Sequence, residues 1–226
     1  MKRLLLIALT VVLAASLFAA EDSVALISAS KGKVDLRRAT KVVPHKTGDF
    51  LLNKDEIKTG GESFAAYKYI DGSSTVKVFA NSVVRVIAST QNKKLAKKVE
   101  LDKGSIYTQI KSNTGPFSVE TPTTVASVKG TAFLTEFDEN GQSTFIVTEG
   151  ELALTILEQK ETQSVKAGNT AIIQADGSYE INPSTKDDIL KIEQAEIASK
   201  QEQENKKMSI PVVGPDGQTK YIEITW

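Results

Sequence analysis

The sequence predicts a mainly β fold: a β-sandwich or a rolled, jelly-roll-like barrel of short antiparallel strands, with one C-terminal helix and a terminal hairpin. Three observations predict it. From Val24 to about Ile181, runs rich in Val, Ile, Thr, Tyr and Phe are punctuated by Gly, Asn and Asp, the composition of strands and tight turns. Within these runs apolar and polar residues alternate, which buries one face of each strand and wets or lightly covers the other. After Asn182-Pro183 the alternation stops and a helical pattern begins.

Val76 and Val78 alternate with Thr75 and Lys77, Val84 and Val86 with Val83 and Arg85, and Leu152, Leu154 and Ile156 with Ala153 and Thr155. Asn140-Gly141 between Phe133–Phe137 and Phe145–Val147 marks a hairpin, because both residues accept positive φ. Asp71-Gly72 and Asp176-Gly177 mark two further tight turns. A weak internal repeat links Val99 to Ile106 around Gly104, Ile146 to Leu152 around Gly150, and Val165 to Ile172 around Gly168. Leu51 to Ile57 is a fourth copy with Asp55 in the glycine position. Each unit reads as strand, glycine-centred turn, strand. Stacked units of this kind suit a rolled sandwich, a barrel or a β-helical stack.

Ser184 or Thr185 is placed to cap the helix, with Asp187 or Asp188 three residues on as in a capping box. Ile189, Leu190, Ile192, Ala195 and Ile197 form a modest apolar stripe. Pro215-Asp216-Gly217 between Val212-Val213 and Tyr221–Ile224 reads as a hairpin, which alone is marginal in water and should dock on something.

The chain has 226 residues, 40 % of them apolar, with 28 basic and 28 acidic side chains. That is enough for one medium domain with its own core, and the balanced charge gives no case for nucleic acid. With no cysteine there is no disulfide, thiolate metal site or cysteine nucleophile. The single histidine, His45, excludes sites that need two. Beside Pro44 and Lys46 it reads as an exposed loop residue. No metal or cofactor is expected.

Lys2 and Arg3 precede an apolar run from Leu4 to Leu17, and Ala19-Ala20 precede Glu21-Asp22. This is the layout of a secretory signal peptide. Phe18 or Leu17 at the position three before the cut meets the small-residue rule imperfectly, so an uncleaved anchor is the alternative. The expected layout is a signal peptide over 1–20, a β domain over 24–181, a helix over 184–207 and a hairpin over 209–226. The protein would be periplasmic or secreted.

The stretch Phe117 to Phe133 contains Thr121-Pro122 and Val128-Lys129-Gly130-Thr131-Ala132-Phe133. It resembles the signature T-P-x-x-x-x-x-V-[RK]-G-T-x-F of the FecR domain family. Gly48-Asp49, Asp55-Glu56-Ile57 with Thr59-Gly60, Asp71-Gly72-Ser73, Asn81-Ser82, Leu101 with Gly104, Val147 with Glu149-Gly150, and Val165 with Ala167-Gly168 continue the family's order. The resemblance covers roughly Ile27 to Ile173. It implies a periplasmic, non-catalytic β module of the kind found in iron-citrate regulators. Those regulators also carry a cytoplasmic arm that acts on a sigma factor. Only three residues precede the apolar run here, so no sigma-factor contact is expected.

The candidate binding residues are Lys129, Gly130 and Thr131 in the signature, Tyr67 and Tyr69 on one strand face, and the terminal Trp226. Each also has a structural reading. Gly130 permits a close strand approach, Thr131 bonds locally, and the tyrosines fill a core. Lys129 and Arg85 could receive an anion or sit solvated on a sheet. Glu120, Glu149 and Glu151 would serve glycosidic chemistry only if paired across a cleft. The expected partner is another envelope protein; the alternative is a cell-surface polysaccharide or peptidoglycan, bound by exposed aromatic residues.

Overall fold

The computed structural model describes residues 23–204, 207–213 and 219–225, with side chains described for 23–195. In chain order the strands are β1 (Ser23–Lys31), β2 (Val34–Arg38), β3 (Lys41–Val43), β4 (Phe50–Leu52), β5 (Glu56–Thr59), β6 (Phe64–Tyr69), β7 (Ser74–Val78), β8 (Val83–Gln91), β9 (Lys94–Ile110), β10 (Phe117–Glu120), β11 (Thr124–Val128), β12 (Ala132–Phe137), β13 (Ser143–Glu149), β14 (Glu151–Ile156), β15 (Glu161–Lys166), β16 (Asn169–Ile173) and β17 (Tyr179–Pro183). Helix α1 (Lys186–Glu204) and a hairpin of β18 (Lys207–Val213) and β19 (Thr219–Thr225) follow.

The strands form two layers. The front layer runs β4-β1-β6-β7-β9-β12-β13-β16-β17. The back layer runs β3-β2-β5-β8-β9-β10-β11-β14-β15. Every pairing is antiparallel except β9 with β10. Strand β9 belongs to both layers: Lys94–Lys103 pairs with β8 in the back, and Gly104–Gln109 pairs with β12 in the front. The result is a sandwich stitched by one long strand and open at its edges, not a closed barrel.

The chain builds it by laying one or two strands in one layer, then crossing to the other. Glycine-centred units read from the sequence as hairpins are these crossings. Gly150 joins β13 in front to β14 behind, and Gly168 joins β15 behind to β16 in front. Gly104 is not a turn at all; it lies inside β9 where the strand changes layer. Its φ is +95°, and a Cβ there would lie 2.5 Å from Cα of Ser82. A side chain is therefore excluded by backbone conformation and by packing together. The Asp71-Gly72, Asn140-Gly141 and Asp176-Gly177 turns do join neighbours within the front layer.

The inner faces supply the core as the alternation predicted. Val76, Val78, Val84, Val86, Leu152, Leu154 and Ile156 are all buried in it. Phe133 and Phe145 fill its centre with Tyr67 and Tyr69. The outer face of the front layer has a second, smaller core, where Ile192 and Ala195 of α1 pack with Tyr107, Leu134 and Ile146. Thr185 caps that helix: the Asp188 N–H donates to Thr185 Oγ1 at 3.2 Å, and the Thr185 N–H donates back to Asp188 Oδ2 at 2.8 Å. The reciprocal pair satisfies two donors that a helix start leaves orphaned. Thr170 on β16 also donates to Asp188, at 3.1 Å, and Lys191 reaches Glu136 on β12 at 2.7 Å. These contacts fix the helix's direction, from β16 across β12 toward β9.

Candidate interaction surface

The signature segments come together at the layer crossings and close the ends of the sandwich. Asp55, buried at the crossing into β5, accepts two hydrogen bonds from Arg38 at 3.0 and 2.9 Å and one from the Leu52 N–H at 2.8 Å. Thr59, Ser82 and Gly104 meet at another crossing. The Ser82 N–H donates to Thr59 Oγ1 at 2.9 Å, and the Ser105 N–H donates to Ser82 Oγ at 2.9 Å. At the Asp71-Gly72-Ser73 turn, the Lys97 ammonium enters from the back layer. It donates to Asp71 Oδ2 at 2.5 Å and Ser73 Oγ at 2.7 Å, with its side chain 0 % exposed. Partial burial alone would raise the Asp71 carboxyl. The Lys97 and Ser73 hydrogen bonds outweigh that and hold it below its ordinary value.

The candidate residues fare differently. Gly130 and Thr131 form the crossing from β11 to β12. Thr131 is buried, its carbonyl accepts from the Ile110 N–H at 2.9 Å, and a Cβ on Gly150 would lie 2.6 Å from the Gly130 carbonyl oxygen. Lys129 alone of the three is exposed. Tyr67 and Tyr69 are 0 % and 1 % exposed. Their rings meet edge-on at 5.7 Å, and Tyr69 meets Phe117 at 5.9 Å. Burial drives both phenols well above their ordinary pKa. They are core, and no sugar can stack on them. Trp226 lies outside the described residues, as does the segment 1–22. His45 is half-buried and bonded to Ser30 at 3.2 Å, not free in a loop.

The acidic candidates are occupied or apart. Glu120 is paired with Lys98 at 3.1 Å, while Glu151 accepts from the Ser164 hydroxyl. An open cleft of about 470 Å³ lies below α1, lined by Lys103, Glu136, Glu139 and Lys191 among others, and none of Glu120, Glu149 or Glu151 borders it. Lys103 is bonded to Glu139 and Lys191 to Glu136. Among the described residues no cluster of His, Asp or Glu is arranged to hold a metal ion.

What the sequence reading missed is the outer face of the back layer. Register sets Arg37 opposite Glu56, Glu56 opposite Arg85, and Arg85 opposite Glu100. The result is a ladder of ion pairs over five strands: Arg37–Glu56 at 3.6 Å, Arg85–Glu56 at 3.3 Å, Arg85–Glu100 at 2.8 Å, Lys98–Glu100 at 2.8 Å and Lys98–Glu120 at 3.1 Å. Glu120 lies directly opposite Glu100, a repulsive pairing that Lys98 bridges. Slight burial would lower the Arg85 guanidinium; the Glu100 bond and the surrounding carboxylates raise it above its ordinary value. Burial would raise Glu100, and Lys98 and Arg85 pull it below. Arg85 is therefore satisfied within its own sheet and is not an anion receptor.

Beyond β10 the middle of the same face turns small and uncharged, with Glu151 opposite Lys166 at one end. Ser118, Ser127, Ala153 and Ser164 fall in one register row across β10, β11, β14 and β15. The last three are exposed. The signal was present in the alternation, since Ser127 lies between buried Ala126 and Val128, Ala153 and Thr155 lie between buried Leu152, Leu154 and Ile156, and Ser164 precedes buried Val165. Only the strand order shows that they form one flat surface, ending at the free edge of β15.

Comparison with known proteins agrees with this architecture. Residues 55–153 match the family model described as FecR protein. Two crystal structures, each described as a candidate anti-sigma factor from Parabacteroides distasonis ATCC 8503, superpose with a TM-score of 0.52. They are 18 % and 16 % identical to this chain, and each alignment covers 75 % of this chain and 84 % of the other. No curated protein matches the chain.

Proposed function

We propose, from the premise that residues 55–153 form a FecR domain, that the protein is a non-catalytic regulatory or sensing module of the cell envelope that works by contact with another envelope protein. The observation that carries this reading is the uncharged row Ser127, Ala153 and Ser164 on the back layer's outer face. It is exposed, it is flanked at one end by Glu151 opposite Lys166, and among the described residues it runs out to the unpaired edge of β15. A face of this kind suits a protein surface or an added strand. Apart from the exposed Lys129, signature residues such as Asp55, Asp71, Gly104, Gly130 and Thr131 are used in the fold itself and not on this face.

The basic and acidic residues of the charged half neutralise one another, so they set the partner's orientation more than its affinity. The burial of Tyr67 and Tyr69 removes two of the three aromatic residues on which a polysaccharide reading depended; the third, Trp226, lies outside the described residues. Among the described residues no helix is long and apolar enough to cross a membrane. Placement in the envelope therefore rests on the family and on the N-terminal apolar run.

The test is site-specific photo-crosslinking in living cells from Ser127 and Ala153, with Lys58 on the charged half as the contrast. One reproducible envelope protein captured at the first two positions and not the third supports the reading. Co-purification with wall polymer and no protein adduct would move it to the polysaccharide alternative. Capture of a sigma factor would place the protein on the other side of the membrane and overturn it.

A further inference from the structure

Four strand edges bound the sandwich, and three are blunted. Strands β3 and β4, at one end, have three residues each, and Pro44 follows β3. At the other end β17 finishes in Pro183, two residues before α1 begins. Short edges and prolines are the usual protection against strand addition. Strand β15 has neither: six residues, Glu161–Lys166, contain no proline. The Ala167 N–H donates to the Gly150 carbonyl at 2.9 Å. By alternation, residues 161, 163 and 165 bond inward to β14, and Thr162, Ser164 and Lys166 present their backbone N–H and C=O outward.

The chain also carries a ribbon that, among the described residues, pairs with no strand of the sandwich. Strands β18 and β19 pair only with each other. Their register sets Met208 opposite Ile224, Ile210 opposite Ile222 and Val212 opposite Lys220 on one face, and Lys207 opposite Thr225, Ser209 opposite Glu223, Pro211 opposite Tyr221 and Val213 opposite Thr219 on the other; Pro211 interrupts β18, so β19 is the edge able to pair. A two-stranded amphipathic ribbon is marginal alone and gains most from a third strand.

A helix that keeps its direction past Ala195 would hold the hairpin of one chain away from β15 of the same chain. The helix is anchored at Thr170 on β16 and passes Glu136 on β12 to reach Tyr107 on β9. Past Ala195 it continues for nine residues, about 14 Å, or roughly three strand spacings of about 4.8 Å. Held straight, that path would pass over the outer row Lys77, Ala66 and Ala29 on β7, β6 and β1, all buried although they face outward. The hairpin begins at Lys207, three positions after Glu204, so on that path it would start beside β1. Strand β15 lies at the opposite end, seven pairings from β1 or about 34 Å away. Two linking residues and a seven-residue strand reach about 30 Å.

We infer that the β18–β19 hairpin of one molecule adds to the β15 edge of a second copy, so that the protein assembles head to tail. Donor and acceptor sit at opposite ends of the same chain, so the contact is heterologous and propagates as a ring or filament. The apolar row of the hairpin would continue the buried side of the back layer beside Val165, and the exposed row Ser127, Ala153, Ser164 would extend along the polymer as one continuous face. This inference is independent of the envelope contact proposed above. Purified protein tests it with no partner present, so either can fail without the other.

The test is sedimentation velocity of the processed full-length protein over a wide concentration range. The wild type should grow with concentration past the dimer. Ser164→Pro removes one outward N–H and leaves the β14 bonds intact, and Ile222→Asp places a charge in the hairpin's apolar row. Each variant alone should stay monomeric with the thermal midpoint of the wild type. Mixed in equal amounts they should form dimers and nothing larger, because the sound edge of one accepts the sound hairpin of the other. Thr162→Pro, at the next outward position, replaces Ser164→Pro should the latter lose its fold. A wild type that stays monomeric throughout, or a β15 proline variant that assembles as the wild type does, overturns the inference.

Discussion

Substituting Gly104 by alanine isolates the demand made by the strand that stitches the two layers. Two penalties arise there. The residue has φ +95°, and a non-glycine residue held in such a region costs about 1–3 kcal/mol. A Cβ at that position would lie 2.5 Å from Cα of Ser82. Ser82 is held by hydrogen bonds to Thr59 and Ser105, so it yields only by moving backbone, and overpacking of that kind costs about 1–3 kcal/mol more. The expected loss is therefore about 2–6 kcal/mol, a large share of a typical stability of about 5–15 kcal/mol. For a chain of this size the thermal midpoint should fall by roughly 5–20 °C. Gly168→Ala is the control, because Gly168 has φ +81° and a methyl group there would meet nothing within 4 Å; it bears the conformational penalty alone. Urea titrations of both variants, compared at equal m-value, give the difference directly. Gly104→Ala should lose about 1–3 kcal/mol more than Gly168→Ala. Equal losses would refute the claim that close approach to Ser82, and not the backbone angle alone, requires glycine where β9 changes layer.

Three further outcomes follow from named contacts. Asp71→Asn leaves the Lys97 ammonium without its carboxylate in a fully buried position. Because Asp71 itself is partly exposed, the expected loss is about 1–3 kcal/mol, below that of a wholly buried pair, read as a shift in the urea midpoint. The Asp71 carboxyl titrates lower in the folded protein than unfolded. Its contribution is therefore complete above the unfolded carboxylate range and disappears as pH falls through the folded value; the acid limb of wild-type stability should shrink in Asp71→Asn, and an unchanged limb would refute the latch. Thr185→Ala removes the helix cap and should lose about 1 kcal/mol, seen as earlier loss of the helical circular-dichroism signal while the β signal persists. Arg85→Ala should lose less than about 1 kcal/mol, with a deficit that shrinks at high salt, because the ladder is solvated. A large, salt-insensitive loss there would show that the ladder is a structural core.

The parts of this fold that sequence makes legible are those set by neighbours along the chain. Alternation names the inward residues of β7, β8 and β14 because side chains in a strand point to opposite faces in turn. Thr185 and Asp188 mark the helix start because the capping bonds span three residues. The crossings were visible as glycines but not as crossings. Gly104 and Gly141 look alike in sequence and both take positive φ, yet one passes a strand from layer to layer and the other closes a hairpin. The difference lies in what stands opposite, Ser82 for Gly104 and Ala175 for Gly141, and that is fixed by pairing across tens of residues.

The candidate surface was hidden for the same reason. Arg37, Glu56, Arg85 and Glu100 come from four separate segments, and only the shared register makes them a ladder. Ser127, Ala153 and Ser164 carry no chemical signal singly and matter only as a flat row. Family signatures favour residues whose replacement breaks the frame, such as Asp55, Asp71, Gly104 and Gly130, so a reading that follows the signature is led to the joints of the molecule. The tyrosines illustrate the other bias. Alternation fixes that Tyr67 and Tyr69 share a face but leaves open which side of the sheet that face is on. The answer comes from Phe117, fifty residues from Tyr67, whose ring closes over Tyr69 from the other layer.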